Sequence, residues 1–367
     1  QEQGELCDDG DDNADDADCL PDCTRPLPVD IEVSALATHV LMSNGTVFSW
    51  GDNEFGQLGN GSLEPSSTPV QVQGVTNASQ LISEEYNACV ISPDGELLCW
   101  GSGQTGAIGD GTFEVAPSPR VVSSLSQTKQ VSIGNGFVCA LLESGEVYCW
   151  GSNGDERLGM LGENQATPTK VDLPGDTLFL ESGKFHTCAV LDDASVWCWG
   201  KGAGYGGPEG GIFLPREASE LAGASKIFAG EDRTFFIRNG ELWGIGFNNG
   251  NQQLLHVCCE DRYSEASKVP DLVNVETIDS DFRHSCGLAD GQVYCWGSSI
   301  KGQLSQTPAN FVNVMEVETP LDVAVGRSHS CAIDGQKRVF CWGDNEFGQL
   351  GFDGEGGPTP REVTFWP

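Results

Sequence analysis

Ten of the fifteen cysteines form five evenly spaced pairs, and paired thiols either close a disulfide or bind a metal ion. The pairs are Cys89 with Cys99, Cys139 with Cys149, Cys188 with Cys198, Cys286 with Cys295, and Cys331 with Cys341. In the second pair the midpoint is Ser144, the centre of a three-residue hairpin loop, and in the fourth the spacing and the loop both shorten by one residue. Both cysteines of a pair therefore face each other across a hairpin, at a separation that suits a disulfide. Because the pairs lack the short knuckle of zinc sites, we predict five disulfides.

The remaining cysteines are Cys7, Cys19, Cys23, Cys258 and Cys259. Their number is odd, and both a pair within the first three and a link from them to the last two stay open. Since disulfides persist outside the reducing cytosol, we expect an extracellular or cell-surface protein. The start at Gln1, without Met, is interpreted as a mature chain whose targeting peptide has been removed.

Oxygen ligands crowd the beginning of the chain. The candidates for a Ca²⁺ site are Asp8, Asp9, Asp11, Asn13 and Asp15. The alternative is a solvated acidic linker, because the Gly turn and bidentate Glu of an EF-hand loop are missing. No other cofactor is expected.

Three histidines occupy the same place, two residues before the first cysteine of a pair: His186, His284 and His329. Brought together, they suit a metal site or a catalytic base. Equivalent positions hold Asn87 and Phe137, however, so we favour side chains that bond within their own repeat.

The short loop that leads into each hairpin varies while its flanks repeat, and it is rich in aromatic residues and Arg. These side chains dominate binding hot spots, so we predict a partner-binding surface. Its candidate residues are Tyr86, Phe137, Phe185, Arg233, Phe282, Arg283 and Arg327. Ordinary loop variation among repeats is the alternative.

These residues belong to a repeat of about fifty residues, marked by a Trp-Gly pair in each copy. The seven copies have Trp50, Trp100, Trp150, Trp199, Trp243, Trp296 and Trp342. The string WGDNEFGQLG is identical at 50–59 and 342–351. Each copy contains about four short strands and turns, as in a propeller blade.

We therefore predict an all-β, seven-bladed β-propeller with four-stranded antiparallel blades and intrablade disulfides. The propeller is assigned to 27–367, after an acidic cysteine-rich segment at 1–26. The strand-like segment 363–366 is expected to complete a blade with 29–36.

Charge limits the partners. The net charge is −35, from 54 acidic and 19 basic residues. Such a chain repels nucleic acid and anionic membranes, and it favours cations or a basic partner. No apolar run reaches the roughly twenty residues of a membrane span.

The pattern of His-(Ser/Thr)-Cys-Ala, Gly-x-Val-x-Cys-Trp-Gly and Asn-x-x-Gly-Gln-Leu-Gly resembles the regulator-of-chromosome-condensation repeat. The resemblance runs from about residue 30 to the C-terminus and is degenerate in the fifth copy. It implies a seven-bladed propeller that recognises proteins through loops on one face, as do nuclear, chromatin-associated and secreted bacterial members. The charge and the disulfides favour the secreted bacterial type. The segment around Cys7 looks like the Cys-Asp-Asp-Gly repeats of secreted bacterial surface proteins, although it lacks their first cysteine.

The sequence contains no nucleophile elbow, phosphate-binding loop or zincin motif. We therefore expect a secreted, non-enzymatic binding module for a protein partner, of which an enzyme inhibitor is one form. The alternative is a structural or adhesive cell-surface component with a Ca²⁺-binding acidic tail. An enzyme that uses the histidines or a ring of carboxylates is the least favoured hypothesis. The oligomeric state and the partner's identity stay open.

Overall fold

The computed structural model describes residues 25–122, 124–205, 207, 212–247, 262–269, 272–281, 283–306 and 311–366. They form seven four-stranded antiparallel sheets, each with its strands in sequence order. The first strands of all seven sheets line one central channel. The predicted all-β, seven-bladed propeller is confirmed.

The strands are numbered β1 to β28, four to a blade. Blades 1 and 2 comprise Pro28–Val33, Ala37–Met42, Val47–Gly51, Ser66–Gln71 (β1–β4), then Gln80–Glu84, Asn87–Ile91, Leu97–Gly101, Ala116–Val121 (β5–β8). Blades 3 and 4 comprise Thr128–Gly134, Phe137–Leu142, Val147–Gly151, Gln165–Lys170 (β9–β12), then Thr177–Ser182, His186–Leu191, Val196–Lys201, Ile212–Glu217 (β13–β16). Blades 5 and 6 comprise Ala224–Ala229, Arg233–Arg238, Glu241–Phe247, Arg262–Lys268 (β17–β20), then Val275–Ser280, His284–Ala289, Gln292–Gly297, Phe311–Asn313 (β21–β24). Blade 7 comprises Asp322–Val325, His329–Ile333, Val339–Gly343 and Gly357–Glu362 (β25–β28). Short 3-10 helices lie at Gly154–Glu156, Gly202–Tyr205 and Ser219–Leu221.

The hydrophobic core lies between neighbouring blades. One cluster joins Cys89 and Ile91 of blade 2 to Val131, Val138 and Ala140 of blade 3. A blade buries its apolar side chains only against the next blade, which is why the repeats must stack into a closed ring.

The repeated tryptophan ties neighbouring blades together. The indole N–H of Trp100 donates to the carbonyl of Gln57, 2.9 Å away, in the loop that follows the preceding blade's Trp-Gly pair. The bonds from Trp150 to Ala107 and from Trp50 to Gln349 repeat this arrangement around the ring. A fully buried indole keeps its hydrogen bond this way, so one residue supplies both packing and register.

In six blades the glycine after the repeated tryptophan is required by the close approach of backbone. Blade 5 departs from the expected pattern, because its register places Ile245 and Gly246, not Trp243 and Gly244, at these two positions. Gly151 has φ of 101°, and a Cβ there would lie 2.4 Å from the carbonyl oxygen of Gly136. Any side chain at this position would force apart the two strands that carry the hairpin.

The five predicted disulfides are confirmed, and each joins residues that face each other in one hairpin. They are Cys89–Cys99, Cys139–Cys149, Cys188–Cys198, Cys286–Cys295 and Cys331–Cys341, with Cα atoms 4.1 Å apart. In blade 1 the equivalent residues His39 and Ser49 are hydrogen-bonded, with Nδ1 2.8 Å from Oγ. In blade 5 they are Phe235 and Gly244. The other five cysteines lie outside the described residues.

The expected strand at 363–366 is wrong. Residues 363–366 form no strand, and blade 1 takes all four strands from its own repeat. The ring closes through side chains instead: Phe365 and Trp366 lie edge-on to Phe48, with ring centres 5.9 and 5.3 Å away. Aromatic packing therefore stabilises the junction between blades 7 and 1, here called the seam, where strand exchange was expected.

Candidate functional site

The central channel is acidic. Its volume is about 380 Å³, and the strands and loops around it carry seven carboxylates and two lysines. The carboxylates are Asp30, Glu32, Glu84, Glu181, Glu231, Asp279 and Asp322. The lysines are Lys184 and Lys226.

Several of these carboxylates cap the free edge of the neighbouring blade. Asp279 accepts the N–H of Val325 at 2.7 Å, and Asp322 accepts the N–H of Ile31 at 3.3 Å. Edge strands expose unpaired backbone donors, and a carboxylate from the previous blade satisfies them. Sequence reasoning considered a ring of carboxylates only within the enzyme hypothesis and named none of these residues, although acidic residues among apolar ones in the first strands were a visible signal.

Burial in the channel disfavours the charged form of these acids. It raises the pKa of Glu181 to about 8 and that of Asp279 to about 7, and the nearby acids add to the effect. Burial, together with the charge of Asp30, raises the pKa of Asp322 to about 8. Within the part of the chain that the structure describes, no group of three or more His, Cys, Asp or Glu is arranged to hold a metal ion.

The loops between the first and second strands meet at one mouth of the channel. Backbone N–H groups join them in sequence: Arg327 donates to Ala35, Ala35 to Glu85, and Lys184 to Gly230, each at 3.3 Å. The Lys184 ammonium forms an ion pair with Glu85 of blade 2 and lies 3.8 Å from Glu231 of blade 5. Burial opposes the charge of Lys184, but Asp281 and Glu85 outweigh it, so its pKa is raised.

Four of the predicted partner-binding residues are accessible at this mouth. Tyr86 and Phe185 are half-buried, while Arg283 and Arg327 are exposed. The ring of Tyr86 lies 4.8 Å from that of Phe55. The mouth therefore presents aromatic and guanidinium groups on a hydrogen-bonded frame.

Phe137 and Arg233 are wrong as contact residues, because both are buried. Each is the first residue of a second strand, with Phe137 opposite Gly151 and Arg233 opposite Gly246, and its side chain points inward. Arg233 donates to Ser280 Oγ at 3.1 Å and to the Asp281 carbonyl at 2.9 Å, in the next blade. Phe282 lies outside the described residues.

The three repeated histidines are also buried, and they bond to the next blade rather than to their own. Nε2 of His284 lies 2.8 Å from Ser330 Oγ, whose hydroxyl donates to the Gln303 carbonyl. The hydroxyl has one hydrogen, so it accepts from His284, and the Nε2–H tautomer follows. The pairs His186–Thr234 and His329–Thr38 repeat this bond.

Burial keeps these imidazoles neutral. It lowers the pKa of His186 to about 4 and the pKa values of His284 and His329 to about 3. Each of these imidazoles is fully buried and is bonded to a hydroxyl of the next blade, so we assign them a structural role.

The candidate Ca²⁺ ligands Asp8, Asp9, Asp11, Asn13 and Asp15 lie outside the described residues, so that site stays a prediction. Among the described residues, no helix is long and apolar enough to cross a membrane.

Comparison with known families identifies the repeat. One sequence model of the regulator of chromosome condensation (RCC1) repeat matches residues 29–57, 128–156, 180–206 and 321–349. A second model of this repeat matches 44–83, 94–141 and 144–190. Together the matches cover more than half of the chain.

Two of the sequence relatives are human proteins that this chain matches only in part. The E3 ubiquitin-protein ligase HERC2 of Homo sapiens is 27% identical over 175 residues, which are 43% of this chain and 4% of that protein. The probable E3 ubiquitin-protein ligase HERC3 of Homo sapiens is 35% identical over 101 residues, 24% of this chain and 10% of that protein. The chain thus aligns with a tenth or less of the length of either relative.

Two solved structures share the fold. Prp20p from Saccharomyces cerevisiae, whose structure is described with its binding to Gsp1p and histones, is 21% identical with a TM-score of 0.75. That likeness covers 92% of this chain and 87% of Prp20p. Human WBSCR16 is 20% identical with a TM-score of 0.74, over 87% of this chain and 94% of that one.

Proposed function

Because the chain belongs to the family of regulator of chromosome condensation repeat proteins, we propose that it is a secreted, non-enzymatic module that binds a protein partner. The observation that carries the proposal is the mouth of the channel, where loops from all around the ring converge. Tyr86, Phe185, Arg283 and Arg327 are accessible there, on loops that backbone hydrogen bonds hold together. Rigid loops bind at a low entropic cost, since little freedom is lost on association.

Protein recognition is the activity class of propellers of this type, and inhibition of an enzyme is one form of it. The names of the similar proteins supply no partner, because the alignments with the ligases cover a tenth or less of those proteins. The likeness to Prp20p supports the fold alone. We therefore propose no ligase activity.

Secretion is supported by the disulfides. Five buried, hairpin-spanning disulfides form and persist in an oxidising compartment. The bacterial type is supported by the resemblance of the N-terminal segment, while the similar proteins named above are eukaryotic.

The test is capture of partners from the native extracellular fluid, with and without Ca²⁺. A double variant, Tyr86→Ala with Phe185→Ala, removes the aromatic part of the mouth. Its control, Val273→Ala with Met315→Ala, removes two exposed apolar side chains from the opposite face. We expect one dominant soluble protein, identified by mass spectrometry, to be lost with the first variant and retained with the second.

The mouth has no role in binding if both variants retain the same protein equally well. Retention of cell-envelope material only with Ca²⁺, abolished by deletion of residues 1–24, would instead support the adhesive alternative.

A further inference from the structure

An open recess lies outside the mouth, on the same face of the propeller. It is formed where the loop 102–115 of blade 2 meets the loop 152–164 of blade 3, and its volume is about 520 Å³. Phe113 lines it from one loop, and Glu163 and Asn164 line it from the other. An aromatic ring and a carboxylate therefore share one recess.

Phe113 is the apolar wall of the recess, and 52% of its surface is exposed. The loops beside it expose Leu63 of blade 1 and Leu161 of blade 3 by 51% and 74%. Three consecutive loops of this face therefore each expose one large apolar side chain.

Two exposed carboxylates of the loops that form the recess lack a cation. Glu114 and Glu163 are exposed, and neither belongs to an ion pair among the described residues. Elsewhere on these loops Asp110 pairs with Arg120 at 2.7 Å and Asp155 with Arg157 at 3.2 Å, while Glu156 forms no ion pair among the described residues. The unpaired charge around the recess is therefore negative.

The wall that carries Glu163 is fixed by its own hydrogen bonds. The Asn153 amide donates to the carbonyls of Met160 and Gly162, both at 3.0 Å. The backbone N–H of Asn153 donates to Asn164 Oδ1 at 2.9 Å. The shape of this wall is therefore fixed in the free protein.

We propose that this recess receives a Lys or Arg side chain from the surface of a basic protein partner. The Phe113 ring accepts the cation on its face, and Glu163 accepts its N–H groups. The net charge of −35 draws such a partner towards the propeller. The inference rests on the proposed function and adds the chemistry of the partner.

The test uses a display library of random peptides, selected on the immobilised full chain. Binders are then measured against Phe113→Ala with Glu163→Gln. The matched control is Leu178→Ala with Glu143→Gln, which removes one exposed apolar side chain and one exposed charge on the opposite face. We expect the selected peptides to be rich in Lys or Arg and to bind the first variant roughly tenfold more weakly, with the control unchanged. Affinity should also fall as salt is raised.

The proposal is overturned if the selected peptides lack basic residues, or if the two variants weaken binding equally. If the affinity of the peptides falls with Tyr86→Ala plus Phe185→Ala but not with the recess variant, the recess proposal is overturned and the mouth is the binding surface. Peptides that respond to neither variant would count against both.

Discussion

Replacing Asp322 by Asn should make the propeller less sensitive to rising pH. The Asp322 carboxyl shares a hydrogen bond with Asp30 and accepts the N–H of Ile31, so it lies on the seam between blades 7 and 1. Burial, with the charge of Asp30, raises its pKa from 3.8 to about 8. The two acids titrate as a pair that holds one proton across the neutral range.

The sign of this pH dependence follows from comparing the protonation of Asp322 in the folded and unfolded states. Above about pH 4 the unfolded chain releases the proton of Asp322, whereas the folded chain keeps it until the pH passes the raised pKa. The stabilisation is therefore complete below the unfolded pKa and is lost as pH rises towards 8. Each pH unit in this window costs about 1.4 kcal/mol, so the step from pH 5 to pH 7 costs about 2–3 kcal/mol.

An Asn at 322 cannot ionise, and its amide donates to Asp30 as the protonated acid does. Any change in the free energy of unfolding that does not depend on ionisation is the same at both pH values. The difference in free energy of unfolding between D322N and the wild type should therefore shift by about 2–3 kcal/mol in favour of the variant from pH 5 to pH 7.

Urea denaturation at the two pH values measures this shift, with Asp192→Asn as the control, since Asp192 is an exposed loop carboxylate. If the free energies of unfolding of D322N and the wild type differ by the same amount at pH 5 and pH 7, the reasoning is refuted. A shift of the same size in the Asp192→Asn control would also refute it.

Three further predictions concern how the blades are joined. His329→Ala removes the bond to Thr38 and leaves a cavity, so urea denaturation should show a loss of about 2–4 kcal/mol; a loss below about 1 kcal/mol would contradict the role of the bond. Cys139→Ala with Cys149→Ala should lower the free energy of unfolding by about 2–3 kcal/mol under oxidising conditions. The difference from the wild type should largely disappear when both proteins are reduced, and a difference that persists would contradict the role of this disulfide. Phe365→Ala should lower the melting temperature through loss of the aromatic packing at the seam, and an unchanged melting temperature would show that this packing does not hold the ring closed.

The fold and the disulfides were predictable because both depend on local spacing. The fifty-residue period sets the number of blades, and the position of the hairpin loop sets which cysteines face each other. The shortening at Cys286 and Cys295 was matched by a two-residue turn, and their register confirms it. Such rules need only the few residues around one turn.

The site was harder to predict because its geometry depends on neighbouring blades. Phe137 stands one residue after its loop, and that step changes an exposed loop side chain into a buried strand side chain. His284 finds its partner in another repeat, 46 residues away in sequence. The channel acids look like ordinary solvent-facing residues until the ring closes around them.

Each sheet is built from one stretch of chain, and among the described strands none is exchanged across the seam. The seam between blades 7 and 1 uses the contacts found between other blades, such as the histidine–hydroxyl bond and the tryptophan–carbonyl bond. The order in which the blades follow one another along the chain is therefore not itself needed to hold the ring. New termini placed between any two blades, with the old ends linked, leave all seven sheets whole, so the molecule is open to circular permutation and to the display of its mouth loops in a different chain order.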